Sequence, residues 1–405
     1  MARHVGKLAV IAALVATAAL QPTAAAHGKP WVAGWAASPV VGSGIPWSDC
    51  PAGEGLHDQT VRNVVFLSAG GESVRVRLTN AFGAAPLRVG RASVAVQASG
   101  DAAVPGTLRA LTFRGKRSVT VPVGREVFSD PVALDVEALS TLLVSAYLPG
   151  PTGPLTNHPF TAQGNYLASG DRTGVLSGGF GDTPCWMAVS GVDVAPAKRV
   201  AGTVVAFGDS ITDTANTTGN ANHRWPDFLA RRLDAVPGRT LSVVNAGLGG
   251  NRLIADRDEP YWGPAGVTRV QRDVLSQSGV KAMIVLLAVN DIGYSASAAD
   301  LIAGHRDVIA QARAKGVRVY GGTILPFKGS FIWTEEREAT WRALNDWIRT
   351  SGEFDGVVDF AAATAVPGDP ATLDPAYDSG DHLHPNDAGT RAMADAVDLA
   401  MLLRR

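Results

Sequence analysis

Two hydrophobic periods divide the chain. From Trp31 to about Pro196, apolar and polar residues alternate in short runs: residues 74–80 read Val-Arg-Val-Arg-Leu-Thr-Asn, and similar runs occupy 92–97, 118–123 and 141–148. A period of two sends successive side chains to opposite faces, as in a half-buried strand. Turn formers punctuate the runs, as at Ala69-Gly70-Gly71-Glu72 and Pro149-Gly150-Pro151. Many short strands without helical spacing predict an all-β domain, a β-sandwich or jelly roll, over residues 27–197. After Val200 the pattern changes. Continuous apolar runs at 203–207, 241–245, 282–289, 317–325 and 356–360 alternate with helical spacing at 226–235, 267–278, 298–315, 335–351 and 386–403. Pro226 suits a first helical turn, Thr334 a helix cap and Gly316 a helix stop. Buried strands alternating with helices predict an α/β domain over residues 198–405, a parallel five-stranded sheet covered on both faces, with ligands beyond the carboxyl ends of its strands. The short segment Ala195-Pro196-Ala197-Lys198-Arg199 between the two patterns predicts close packing of the domains.

The first residues break this scheme. Met1 to Lys7 carry positive charge, residues 8–20 are apolar, and Thr23-Ala24-Ala25-Ala26 is a run of small residues. This is the pattern of a secretory signal peptide, residues 1–26, cut after Ala26. A membrane anchor needs an apolar span of about 20 residues, longer than this one, so no stable anchor is expected. Export gives meaning to the two cysteines, Cys50 and Cys185: an oxidising compartment favours one disulfide between them, the alternative being two free thiols. With 405 residues, 46% hydrophobic and 18% charged, the chain has room for two soluble cores. Its 36 basic and 37 acidic side chains leave a net charge of -1, which excludes an electrostatic nucleic-acid binder.

Candidate chemistry collects just after the predicted strands of the second domain. The first is followed by Gly208-Asp209-Ser210, the second by Gly249-Gly250-Asn251, the third by Asn290-Asp291, and the fifth by a loop with Asp381-His382-Leu383-His384. A serine hydroxyl needs a base, a carboxylate to orient that base, and N–H donors for the developing oxyanion. All four types share one rim. Each block has a plainer use: a serine after a strand can cap a helix, paired glycines permit a tight turn, and Asn-Asp suits turns. His382, His384, Asp381 and Asp387 also suggest metal ligation, but Asp381 as an orienting carboxylate explains the loop without an ion, and neither a metal nor a cofactor is expected. His305 lies on a helical stripe with Leu301, Ile302, Val308 and Ile309 and reads as packed. No Gly-x-Ser-x-Gly elbow occurs.

In these blocks the chain resembles the SGNH, or GDSL-type, serine hydrolases: GDSIT around Ser210, NAGLGG ending at Gly250, VND at Asn290 and DHLH at 381–384. The resemblance covers residues 200–405. It implies a flavodoxin-like three-layer domain, Ser210 as nucleophile, His384 as base and Asp381 as its orienter. It also implies an oxyanion hole from the backbone N–H groups of Ser210 and Gly250 and the amide of Asn290. The third block departs from Gly-x-Asn-Asp, because Ala288 stands where the glycine usually is. Phrases such as RVRLTNAFG and SGVDV resemble the β-domain of two-domain secreted bacterial members, some associated with plant-polysaccharide breakdown. The expected activity is hydrolysis of short acyl esters, perhaps acetyl esters on a carbohydrate, through an acyl-serine; the substrate is thus a small ester or an acylated polysaccharide. Lipase or lysophospholipase action, or a carbohydrate-binding or adhesive protein with a degenerate hydrolase domain, are the alternatives, and the oligomeric state stays open. Asn251, Arg252 and the polar loop 216–224 are expected to contact the alcohol, and Phe327, Phe331 and Ile332 the acyl group. Trp225, Trp262 and Trp333 suit either sugar stacking or core packing.

Overall fold

A computed structural model describes Met1 and residues 31–196, 199–213 and 216–404. The expected signal peptide, apart from Met1, and the expected domain boundary at 197–198 lie outside the described residues. Among those described, no helix is long and apolar enough to cross a membrane.

The alternating run Gly71–Asn80 explains the first part of the chain. Val74, Val76 and Leu78 enter a core shared with Val61 and Val65 of strand Gln59–Phe66 and with Leu142 and Val144 of Thr141–Leu148. Arg75 and Arg77, between them, point away: Arg75 pairs with Asp193 at 2.8 Å, and Arg77 Nη2 donates to Gln277 Oε1 at 2.5 Å. Two antiparallel sheets enclose this core. One runs Val32–Ala36, Val189–Pro196, Gly71–Asn80, Val132–Val136 in space; the other runs Gly181–Thr183, Asn165–Ser169, Gln59–Phe66, Thr141–Leu148, Arg91–Ser99, Ala102–Ala103. Cys50 and Cys185 are bonded, with Cα atoms 5.7 Å apart. The bond ties the loop that carries Trp47 to the small pair Asn157–His158 and Trp186–Met187. Closing so long a loop contributes at most roughly 4–5 kcal/mol in the chain-entropy description.

The second part is a parallel sheet of β1 (Val200–Gly208), β2 (Thr240–Gly247), β3 (Val280–Leu286), β4 (Arg318–Gly322) and β5 (Gly356–Val358). Its order, β2-β1-β3-β4-β5, is the flavodoxin-like arrangement, so β1 stands where the strand order reverses. The helices are α1 (Ser210–Asp213), α2 (Trp225–Ala235), α3 (Gly266–Val270), α4 (Val289–Gly293), α5 (Ala298–Arg313), α6 (Glu335–Thr350), α7 (Phe360–Thr364), α8 (Asp387–Asp395) and α9 (Leu399–Leu403). Three local departures from the sequence pattern have physical causes. The apolar run 282–289 leaves the sheet at Leu286, because Val289 begins α4. The helical run 267–278 changes after Val270 into a π-helical turn, Gln271–Leu275. The run 386–403 divides because the Asp398 carboxylate accepts the Ala400 N–H at 2.8 Å and caps a new helix. His305 is buried, with its ring 5.9 Å from that of Trp347 and 6.1 Å from that of Phe354, and burial pushes its pKa down to about 4.

The two parts pack directly on each other. Strand Val32–Ala36 divides its side chains between them, Val32 and Trp35 entering the β core while Ala33 and Ala36 enter the α/β core. Ala33 N–H donates to Ser278 O at 2.9 Å, and Val243 N–H to Ser68 Oγ at 3.1 Å.

Candidate active site

β1 delivers Ser210 to the sheet's switch point. The chain turns at Asp209, whose Oδ1 accepts the Ile211 N–H at 3.1 Å and whose backbone oxygen accepts those of Thr212 and Asp213. Burial pushes Asp209 up to about 7, against the pull of that hydrogen bond and of nearby His384. Behind the turn lies the fully buried guanidinium of Arg269. It donates to Gly208 O at 2.7 Å, Ala246 O at 2.8 Å and Asn251 Oδ1 at 2.8 Å, and its charge is met by Asp273 at 3.1 Å. One side chain thus fixes the ends of β1 and β2 and the turn after β2. Pairing with a carboxylate and full hydrogen bonding let such a charge stay inside.

Ser210 Oγ lies 2.9 Å from His384 Nε2, and His384 Nδ1 lies 2.6 Å from Asp381 Oδ2. The other carboxylate oxygen accepts the backbone N–H groups of His384 at 2.8 Å and Leu383 at 3.0 Å. Burial raises the Asp381 pKa, but the His384 ring and these N–H donors outweigh it and hold the carboxyl far below the ordinary range. An ionised Asp381 accepts a hydrogen bond from Nδ1–H and so keeps the proton on that nitrogen, which leaves the Nε2 lone pair facing the serine hydroxyl. Asn216 Nδ2 also reaches Asp381, at 3.4 Å, and Ser379 Oγ, at 2.8 Å. His382 turns elsewhere: its Nδ1 pairs with Asp378 at 2.7 Å on the exposed side of the loop. Among the described residues, no group of His, Cys, Asp and Glu has the arrangement of a metal site.

The expected oxyanion donors line the same cleft. Gly250 has φ 69°, and a Cβ there would lie 2.2 Å from Trp262 Cε3, so only glycine admits both the turn and the ring. The Ser210 N–H belongs to the first turn of α1, where helix N–H groups have no intrahelical acceptor. Asn290, in α4, gives one amide hydrogen to Asn251 O at 2.9 Å. The second remains to face the cleft. Asp291 accepts Leu253 N–H at 2.6 Å and Ile254 N–H at 3.1 Å, locking the turn after β2 against α4. Ala288 carries its methyl fully buried at φ 159°, ψ -11°, and Asn290 still reaches the cleft wall. Asn290→Ala is expected to lower kcat by roughly 10²–10³ with little change in KM, the range for a single oxyanion donor. Steady-state kinetics on a soluble ester check it, and a loss below about threefold would assign the donor elsewhere.

The cleft, of about 540 Å³, is walled by both parts of the chain. Trp47 and Phe160 come from the β part and meet Trp262, with ring centroids 5.7 and 5.8 Å from it. Arg257 lies over Trp262 at 4.1 Å and donates to Gly250 O at 3.2 Å. Tyr294, Phe331, Ile332, Arg337 and Leu383 also line the cleft, with Arg257 5.2 Å over the Tyr294 ring.

Of the residues expected to hold substrate, Asn251, Arg252 and Phe327 do not line this cleft. Asn251 is buried, its amide donating to Trp262 O and Pro264 O. Arg252 lies 3.6 Å from Asp291 and covers Tyr294. Phe327 packs edge-on against Trp341 in the core. Asn251 and Arg252 are polar residues after a glycine turn, but carbonyls and a buried carboxylate capture them before any ligand does. Trp225 is core and Trp333 flanks it, whereas Trp262 lines the cleft. In the loop 216–224, Asn216 lines the cleft, while His223 pairs with Asp387 at 2.7 Å and Arg224 with Asp227 at 3.0 Å. Trp47, Phe160 and Arg269 carried no sequence signal as site residues, because their neighbours in space are far away in the chain.

Residues 206–392 match the GDSL-like Lipase/Acylhydrolase family. No curated protein matches the chain. Among solved structures, a GDSL-like lipase from Bacteroides thetaiotaomicron is 18% identical, with 51% of this chain and 90% of that one covered at a TM-score of 0.39. The aryl esterase of M. smegmatis is 17% identical, with 48% and 96% covered at the same TM-score of 0.39.

Proposed function

We propose that this protein, whose residues 206–392 match the GDSL-like Lipase/Acylhydrolase family, is a secreted serine esterase acting on short acyl esters, with acetyl groups on a carbohydrate as the leading substrate. The observation that carries the esterase reading is the continuous Ser210–His384–Asp381 hydrogen-bonded chain at the cleft wall. His384 Nε2 takes the Ser210 proton as Oγ attacks the ester carbonyl, and the Ser210 and Gly250 N–H groups with the Asn290 amide receive the oxyanion. The imidazolium then returns the proton to the leaving alcohol. Water, deprotonated by the same nitrogen, attacks the acyl carbon; the bond to Oγ breaks, the acid leaves, and the imidazolium returns its proton to Ser210 Oγ. Intact hydrogen bonding through all three residues argues against a degenerate domain that only binds. The disulfide fits an oxidising compartment and so supports export.

The chemistry of the walls supports a short acyl group on a ring-bearing, polar alcohol. Trp47, Phe160 and Trp262 offer aromatic faces on which a sugar ring can stack, and Arg257 and Asn216 offer donors beside them. The apolar side is short: Phe331, Ile332 and Leu383. A palmitoyl chain would need a long groove, since each buried methylene contributes about 0.8 kcal/mol. One observation favours lipid esters instead: Phe331 is 81% exposed at the mouth, as an interface-seeking side chain would be. The expected result is a kcat/KM at least about tenfold higher for acetyl than for palmitoyl on one leaving group, with acetate released from acetylated xylan. A palmitoyl preference with no acetate release would transfer the assignment to lipid esters.

A further inference from the structure

His158 belongs to the β part, yet it is buried beside the catalytic turn with acceptors on both ring nitrogens. Nδ1 lies 2.7 Å from Ser38 O, while Nε2 lies 2.8 Å from Asp213 Oδ1 and 3.2 Å from Phe160 O. Each ring nitrogen thus faces an acceptor, the arrangement that a doubly protonated ring satisfies. Burial opposes that charge, but Asp213 and the two carbonyls outweigh it and raise the ring above its ordinary pKa. Asp213 ends α1, the helix that Ser210 begins, and its second oxygen accepts the Gly249 N–H at 2.8 Å. Gly249 precedes Gly250, which lines the cleft beside Ser210 and whose N–H is the proposed oxyanion donor. The chain of contacts therefore runs His158, Asp213, Gly249, Gly250, crossing from one part of the protein to the other. Ser38 joins it to Arg269: its carbonyl holds His158 and its hydroxyl accepts from Arg269 Nη1 at 3.1 Å.

We propose that His158 is a positioning residue for ester hydrolysis, holding Asp213 and through it the Gly249–Gly250 turn in the geometry that receives the oxyanion. The proposal rests on Ser210 being the nucleophile. It makes the β part a component of the catalytic apparatus as well as of the cleft wall, because an α/β domain alone would leave Asp213 Oδ1 without the ring that donates to it. The group acts before any substrate is bound: it sets where an N–H points, which matters most when negative charge develops.

The test separates positioning from folding by titrating reactive serines with a p-nitrophenyl phosphonate and expressing kcat on a short ester per titrated site. His158→Leu is expected to lower kcat per site by about 10- to 100-fold with KM within about twofold, since a misplaced donor costs up to the value of a lost one. His158→Gln, whose amide still donates to Asp213, is expected to stay within about threefold of the natural chain. Should His158→Leu not fold, the double variant His158→Leu/Asp213→Ala leaves no unpaired buried charge yet still strips Gly249 of its acceptor, and the same loss is expected. A kcat per site within about twofold of the natural chain in the folded variant, or a rise in KM alone, overturns the proposal. Activity in Ser210→Ala equal to that of the natural chain would overturn the esterase reading itself, and a failure confined to His158 would leave that reading standing.

Discussion

Ser210→Ala is expected to lower kcat for ester hydrolysis by about 10⁶ and to abolish labelling by a phosphonate probe, while the fold persists. The size follows from the geometry. The hydroxyl is the one group that both faces the cleft and lies within 2.9 Å of His384 Nε2, and no other hydroxyl among the described cleft residues takes its place. Its removal leaves the oxyanion donors and the binding surface, which by themselves still speed hydrolysis over water by about 10³–10⁴. Stability should change by less than about 1 kcal/mol, because the half-buried hydroxyl makes one side-chain hydrogen bond and has no packing role. The checks are hydrolysis of a soluble ester, intact-mass detection of the phosphonate adduct, and thermal melting. Full labelling of the variant would sink the nucleophile assignment.

The second large effect is a contrast between two histidines that are neighbours but one. His384→Ala is expected to match Ser210→Ala, about 10⁶ in kcat, because a serine without its base is no nucleophile at neutral pH. His382→Ala is expected to cost less than about threefold. Its ring is more than half exposed, is bonded to Asp378, and is not among the residues that line the cleft. Parallel kinetics on the two variants decide between the registers. If His382→Ala were dead and His384→Ala active, the loop would have to be threaded one turn differently, with Asp381 orienting another ring. The carboxylate adds a second check. Its pKa is held well below the ordinary range, so Asp381 stays ionised at every pH where esterases are assayed, and its stabilising bonds to His384 persist through the weakly acid range. They are lost only as pH falls through that lowered folded-state value.

The β part reaches the cleft and the turn beside it. Trp47 and Phe160 form a wall, the Cys50–Cys185 bond pins the loop bearing Trp47, and His158 reaches under the oxyanion turn. Under the proposed function, changes at the interface between the two cores are expected to register in kinetics before they register in either core.

The local pattern by itself was enough for the class of each part and for the order of the catalytic blocks. Periodicity is a property of consecutive residues: alternation at 74–80 sets a two-faced strand, and continuous apolar runs between helices set a buried parallel sheet. In such a sheet the carboxyl ends of the strands share one rim, so the residues following β1, β2, β3 and β5 group together on sequence alone. Ser210, Asp381 and His384 therefore stood out, and the structure brings them within hydrogen-bonding distance. Tertiary structure decided which way loop side chains turn. Asn251, Arg252 and Phe327 looked like substrate contacts from their places after strands, but carbonyls, a buried carboxylate and a tryptophan took them inward. Phe160 and His158 sit about fifty residues upstream of the serine, and nothing in their own surroundings in the chain marks them. Their roles arise only because strand Val32–Ala36 and its sheet lie against the α/β core, bringing acceptors and rings from distant segments to one point. Local order is written in neighbouring residues; the direction of a loop side chain is settled by partners that only folding brings near.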